Sequence, residues 1–289
     1  MESTQSSPSE LMDLRIKKIL RTSREKEKVR NDFNYTFIQL GLNPADASEL
    51  CEKLFDLLLS DRALEEIEAN ALGILEETKV GSDSLPSVLD EKLRARAELI
   101  FSQVEPHLKE VKGKVLDFGT GDGQVAQLLS DRLGLEMVGV DIRDYRKLNV
   151  SIPFELIRGG CVEVNSDTYS AVLLTNVLHH EQDNEGILSE VHRIVVPDGL
   201  VVILETVPDG VTEEEMESDK ERTFMNDYLY NRLFHNADVP VPGTFETIGV
   251  WKERFAVHGM TLIQEADLGF DQTTIRDRHY LYVLRNEKN

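Results

Sequence analysis

Three glycines, Gly119, Gly121 and Gly123, alternate with other residues in LDFGTGDGQ (116–124), and two aspartates, Asp117 and Asp122, stand among them. Glycine at such positions permits a positive φ and lets a ligand touch bare backbone, because no Cβ intervenes. A helix starting directly afterwards offers free N–H groups. A turn that cradles pyrophosphate prefers G-x-G-x-x-G, whereas the spacing here is G-x-G-x-G with Gln124 next. The carboxylates are poor neighbours for pyrophosphate and good ones for a cation such as a sulfonium or an α-ammonium. A further carboxylate, Asp141, ends EMVGVD and can accept two hydrogen bonds from a ribose diol. A nicotinamide dinucleotide and a sulfonium nucleoside share that diol, so Asp141 does not separate them.

TNVLHHEQD holds two adjacent histidines, His179 and His180. Neighbouring residues point in different directions, and the helical zinc motif needs ligands at i and i+4, so no metal is expected. A histidine near neutral pKa can take a proton from a hydroxyl or an amine; His180 is preferred over His179 for that role. Shaping a pocket is the alternative for both. Cys161, in IRGGCVEV, reads as a small apolar pocket residue rather than a nucleophile. Glu205, ending LVVILET, faces either a pocket or solvent.

The elements that position these residues follow from the apolar pattern. KVLDF, EMVGVD, FELIR, AVLLT and LVVILET are short apolar runs without strict alternation, as strands covered on both faces require. QVAQLLSDRLG and NEGILSEVHRIV lie between them as helical stretches. Strand and helix in alternation imply a parallel sheet with helices on both sides, whose ligands bind at the carboxyl ends of the strands. HYLYVLRN and MTLIQEADLG read as the last two strands, and VWKERFAVHGM before them as a helix stopped at Gly259. Upstream, residues 1–9 are Ser-rich and read as a disordered tail, and 10–85 as a helical lobe closed by the turn-rich GSDSLP. In that lobe 10–33 reads as one charged amphipathic helix, and Asn43 with Pro44 as a cap and first helical position.

VLDFGTGDG, VGVD, LLTNVLHH and HRIVVPDGLVVILE, in that order, resemble the class I S-adenosylmethionine-dependent methyltransferase family, small-molecule type, over roughly 90–285. The resemblance implies an α/β fold: a seven-stranded Rossmann-like sheet, mostly parallel with the last strand antiparallel, joined to the N-terminal helical lobe. The sheet domain would span 86–289, with a lid-like insertion at about 207–246. S-adenosylmethionine is the implied cofactor, with Gly119, Thr120, Gly121 and Gly123 along its methionine and ribose part. Asp117 would sit near the ammonium, Asp141 on the ribose hydroxyls and Ile142 against the adenine. Gly160 and Cys161 occupy the adenine edge, where the family often carries an acid. Thr175 and Asn176 fall at the methionine end, and His179 and His180 beside the methyl donor. Substrate-recognition segments of the family often follow the fifth strand, which makes Asn226, Tyr228, Tyr230, Asn231 and Arg232 candidate substrate contacts. Phe224 and Tyr228 share a helix face, so a core stripe is the alternative. The implied reaction is methyl transfer to an oxygen or nitrogen of a small organic molecule, such as a natural-product intermediate. A non-methylating cofactor-binding protein on the same fold is the alternative, with an NAD-dependent oxidoreductase behind it. The N-P-P-Y-type sequence of many amino-methyltransferases is replaced by TNVL, which lowers the expectation of protein or nucleic-acid substrates.

A formal charge of −21 repels phosphate backbones and anionic membranes, so neither nucleic acid nor membrane is an expected partner. No apolar run reaches the ~18 residues of a membrane span, and MESTQSSPSELMDL is not expected to act as a secretory leader. Two cysteines, Cys51 and Cys161, are too few for a disulfide framework and fit a reducing, cytoplasmic setting. The helical lobe is expected either to cover the open edge of the pocket or to make a homodimer contact.

Overall fold

The computed structural model describes residues 7–235, 239–271 and 275–288. Its helices are α1 (Pro8–Arg21), α2 (Ser23–Gln39), α3 (Pro44–Leu58), α4 (Leu64–Glu77), α5 (Leu85–Leu108), α6 (Gln124–Leu133), α7 (Asn184–Ile194), α8 (Glu213–Tyr228) and α9 (Ile248–Val257). The strands of the large sheet are β1 (Lys114–Phe118), β2 (Glu136–Asp141), β3 (Phe154–Leu156), β4 (Tyr169–Thr175), β5 (Val195–Val207), β6 (Met260–Phe270) and β7 (Arg278–Asn286). Two compact units result. Met1–Leu93, Pro208–Phe245 and Asp271–Asp277 form the helical unit; Arg94–Val207, Glu246–Phe270 and Arg278–Asn289 form the sheet unit. No helix among the described residues is long and apolar enough to cross a membrane.

In the sheet unit the strand order is β3-β2-β1-β4-β5-β7-β6. Strands β1 to β5 pair in parallel, and β7 runs antiparallel to both its neighbours, which is the seven-stranded sheet expected from the sequence. The apolar runs lack alternation because both faces are buried. Val115, Met137, Leu173 and Val202 pack with Phe101 and Val104 of α5 and Ala126 and Leu129 of α6. Their neighbours Leu116, Val138, Val172 and Ile203 pack with Val191 of α7 and Trp251 and Phe255 of α9. Strand β5 begins earlier than LVVILET suggests: Tyr169 pairs with Val195 and Ala171 with Leu200. The intervening Pro-Asp-Gly therefore loops out, with Asp198 at φ +60°.

The helical unit is built on a separate core that includes Phe33, Phe37, Phe55, Phe224 and Tyr228. Helix α1 starts inside the expected tail. The Ser7 hydroxyl accepts from the Glu10 amide at 3.2 Å, and the Glu10 carboxylate accepts from the Ser7 amide at 2.7 Å, a reciprocal cap; residues 1–6 of that expectation lie outside the described residues. Thr22, extended at φ −87° and ψ 113°, breaks the single charged helix expected over 10–33. Asn43 caps α3 as its sequence predicts, accepting from Ala45 and Asp46 amides at 3.0 Å each. The basic run of α1 and α2 meets acidic partners: Arg15 pairs with Glu221 at 2.8 Å, Arg24 with Glu214 at 2.6 Å and Arg30 with Glu52 at 2.6 Å.

The insertion expected to belong to the sheet domain lies in the helical unit instead. The acidic start of α8 is a second reciprocal cap, with the Thr212 hydroxyl accepting from the Glu215 amide at 3.2 Å, and its three glutamates suit the positive end of the helix. Further along, α8 carries a buried guanidinium, Arg222. It donates to Asp219 at 2.6 Å, to Asp277 at 3.3 Å and to Asp32 of α2. Asn226 donates to Asp32 and Asp277, both at 3.0 Å. Burial works against the Arg222 charge, but the bond to Asp219 and the charges of Asp277 and Asp32 outweigh it and hold the group protonated. Burial pushes the Asp277 carboxyl up to about 6 although Arg222 opposes it.

Removing the guanidinium leaves three buried carboxylates without their counter-charge. Arg222→Ala is therefore expected to destabilise the helical unit by about 3–5 kcal/mol, read from the denaturant midpoint. A loss below about 1 kcal/mol would show that this network contributes no more than a surface ion pair.

Candidate functional site

The loop after β1 is held by β2. Gly119 and Thr120 amides both donate to the Val140 carbonyl, at 2.8 and 3.0 Å. Gly119 has φ +74°, and a Cβ there would come within 2.5 Å of a Val177 methyl carbon, so only glycine fits without rearrangement. Gly121 has φ +53° and a different surrounding: a Cβ there would meet nothing within 4 Å, so its backbone borders open space. Gly123 closes the turn, donating to the Thr120 carbonyl at 2.9 Å, and α6 follows.

Two carboxyls stand at the ends of β1 and β2. Asp141 is satisfied by backbone: its Oδ2 accepts from the Gly121 amide at 2.8 Å and its Oδ1 from the Ile142 amide at 2.7 Å. The Arg143 backbone bonds the same carboxylate, which leaves one of its four lone-pair directions for a further donor. Burial raises this carboxyl, against the opposing bonds from the backbone. Ile142, directly after it, is 45% exposed, an apolar side chain left on the surface beside the carboxylate. Asp117 is 1% exposed. Its Oδ2 accepts from the Thr120 hydroxyl at 2.7 Å, and its Oδ1 is buried with no hydrogen-bond partner. Burial pushes this carboxyl up to about 7, the Thr120 bond opposes, and the charges of Asp141 and Asp122 add to the rise. Glu181, after the histidine pair, is raised by burial and by the charges of Asp141 and Asp183. The strand-end edge thus concentrates negative charge, which disfavours a pyrophosphate and suits a cation.

The turn after β4 brings the histidines to the same edge, since β4 lies beside β1. Thr175 ends the strand. Asn176 takes φ +55°, donates its amide to the Leu204 carbonyl at 2.8 Å and accepts from the Thr206 hydroxyl at 3.3 Å. Glu205 settles between the two sequence alternatives as a fully buried side chain. Its Oε1 accepts from the Val177 and Leu178 amides at 2.8 and 2.6 Å, and its Oε2 meets His179 Nδ1 at 2.7 Å. The His180 ring lies 4.2 Å from that of His179. The sequence prefers His180 as a base, yet His179 is the one paired with the carboxylate. An acid at the carboxyl end of a neighbouring strand was the available signal for Glu205; its burial could not be seen without the register of β5.

Gly160, at φ +73°, and Cys161 form a tight turn in which the Cys161 amide donates to the Arg158 carbonyl at 3.3 Å. Cys161 is exposed and lines a cavity together with Val162, Glu190 and Arg193. The five substrate candidates belong to the helical unit. Tyr228 is fully buried and its hydroxyl donates to Glu68 at 3.1 Å, and Arg232 pairs with the same carboxylate at 2.6 Å. Asn226 joins the Arg222 network, Asn231 donates to Asp227 at 2.7 Å, and Tyr230 packs edge-on against His235. Phe224 and Tyr228 are core, the alternative open at those two residues, while Tyr230, Asn231 and Arg232 are half-buried.

Comparison with known proteins matches residues 89–252 to a family model described as a methyltransferase domain. No curated protein matches the chain. Among solved structures, the [4+2]-cyclase SpnF superposes with a TM-score of 0.51 at 12% identity, covering 66% of this chain and 81% of that one. The YcgJ protein from Bacillus subtilis gives 0.48 at 15% identity, covering 68% and 99%. A protein described through echinomycin biosynthesis gives 0.46 at 20% identity, covering 66% and 82%. At these identities the likeness is one of fold.

Asp117 gives the site a pH signature. Its carboxyl titrates near 4 in the unfolded chain and at about 7 in the folded one. Between those values the folded state binds the extra proton, so stability falls as pH rises from about 4 to about 7 and this contribution is flat above. Asp117→Asn is expected to remove that slope from a series of Tm values against pH. An unchanged slope would place the titration on another group.

Proposed function

This chain belongs to the class I methyltransferase family, and from that premise we propose that it carries a methyl group from S-adenosylmethionine to an oxygen or nitrogen of a small organic molecule. The observation that carries the reading is the buried Asp117 Oδ1 without a partner. A buried acceptor left unmade is costly, and an α-ammonium supplies the missing donor together with the opposite charge. The remaining residues fit the same ligand. Asp141 keeps acceptor capacity for a ribose diol, Ile142 offers an apolar face to adenine, and Gly121 presents backbone to open space.

When bound, S-adenosylmethionine supplies a sulfonium methyl whose carbon the acceptor takes while the carbon–sulfur electron pair stays with sulfur. The chain's own groups do the rest. Asp117 and Asp141 fix the ligand's two polar ends, and the 119–123 turn sets how closely it approaches backbone. Alignment of the acceptor and exclusion of water lower the barrier without a covalent intermediate on the protein. A histidine of the turn after β4, His180 or His179, takes the acceptor's proton. The negative strand-end edge speaks against the oxidoreductase alternative, since a dinucleotide would set its pyrophosphate among carboxylates.

Titration calorimetry with S-adenosylhomocysteine and with NAD, followed by incubation of the protein with methyl-labelled S-adenosylmethionine and a panel of small hydroxyl and amine acceptors, tests this. Binding of the first nucleoside alone and label transfer to a panel member are expected. NAD binding without a response to S-adenosylhomocysteine would overturn the reading. Asp141→Ala should weaken S-adenosylhomocysteine binding by about 1–3 kcal/mol, and unchanged affinity would remove Asp141 from the ribose.

A further inference from the structure

We infer that the cofactor site loads by exchange: a proton held on the Asp117 carboxyl leaves for solvent as the positively charged end of the ligand arrives, which ties loading to pH; the inference rests on the S-adenosylmethionine reading above. A missing side chain on β2 shapes the site. Asp117 of β1 stands opposite Gly139 of β2, and a Cβ at Gly139 would come within 2.9 Å of the Thr120 methyl carbon and hydroxyl oxygen. The glycine makes room for Thr120, whose hydroxyl reaches Asp117 Oδ2 at 2.7 Å. The other oxygen, Oδ1, is buried without a donor.

No lysine or arginine is among the groups that act on this carboxyl. Burial comes first, Thr120 opposes it, and the two charges that follow, Asp141 and Asp122, are both negative. Asp141 lies two residues beyond Gly139 on β2, so the two share a face of the strand, and the groups bonded to it are backbone N–H alone. On the other side of Asp117, β4 sets uncharged Leu173 opposite it. The turn after β4 brings His179 and His180 to the same edge, with Glu205 of β5 bonded to His179.

A carboxyl that is buried, bonded by one hydroxyl and faced by like charge is held in its neutral form, in line with its rise to about 7. A cation at the strand ends reverses that balance. Its field reaches a buried group through low-dielectric surroundings without contact, so Asp117 does not have to be exposed for the exchange. The empty site keeps the proton below about 7, and the loaded site holds the carboxylate ionised to lower pH. Loading therefore releases a proton below that value and almost none well above it, and affinity rises with pH until the empty carboxyl is ionised. With a loaded carboxyl that stays ionised down to about pH 5, S-adenosylhomocysteine should bind roughly tenfold more weakly at about pH 6 than at about pH 8.

Titration calorimetry of the full chain with S-adenosylhomocysteine, at those two pH values and in two buffers of different ionisation enthalpy, reads affinity and protons together. Release of close to one proton per ligand at the lower pH and roughly a tenth of one at the higher is expected. Carbon-13 NMR of the Asp117 carboxyl should show a midpoint of about 7 without ligand and one about two pH units lower with it. Asp117→Asn should bind equally well at both pH values and release no proton. Asp122→Asn keeps Asp117 and removes one of the charges that raise it, so its proton release should move to lower pH; this variant decides if Asp117→Asn does not fold.

Binding of S-adenosylhomocysteine with no proton released at either pH overturns the exchange and leaves the methyl-transfer reading standing. So does a free protein in which Asp117 titrates below about 5, near the ordinary carboxylate range. A pH effect that survives in Asp117→Asn assigns the proton to another group, such as a histidine of the turn after β4, and overturns it as well. No binding at either pH fails the reading itself, and the exchange falls with it.

Discussion

The constraint that shapes the strand ends of the sheet unit is the approach of Gly119 to Val177, where a single added carbon would sit within 2.5 Å of a valine methyl. It packs the loop after β1 directly against the turn after β4. These two strands are neighbours in the sheet, and the strand order reverses between them, so their connections leave in opposite directions and open a crevice at the strand ends. The contact keeps that crevice from widening. The glycine turn and the turn that carries the histidines are therefore set by one packing distance, and neither can shift without the other.

Two buried acids at this edge are treated in opposite ways. Glu205 is surrounded by donors and serves the fold and the ring beside it. Asp117 has one hydroxyl donor and one oxygen with nothing. A stable core would not keep such an atom for packing alone, since burial of an unpaired acceptor costs free energy. The asymmetry sets the two acids apart: Glu205 is satisfied within the fold and Asp117 Oδ1 is not.

The sheet was legible in the sequence because its signals are local. KVLDF and EMVGVD are strands at the very residues whose apolar pattern predicts them, and the glycine turn identifies itself by spacing. The histidine preference was not settled by sequence, since the choice between His179 and His180 depends on a carboxylate 26 residues away placed by strand register. Residues 207–246 were harder still. Their aromatic stripe predicts a helix, and α8 is one, but its buried face is matched to Asp32 and Glu68, separated from their partners by 190 and 160 positions. No local rule carries such pairings, and an amide- and aromatic-rich segment reads equally well as a substrate surface or as core.

The helical unit draws on three stretches of chain, and its buried guanidinium reaches Asp277 in the last of them. During synthesis the N-terminal helices therefore wait, with Asp32 unmatched, until the ribosome has passed both the insertion and β6. The unit is finished late although it starts first. The sheet waits as long, since β5 and β6 find their shared partner only when β7 has been made, so both units close on the same late stretch of chain.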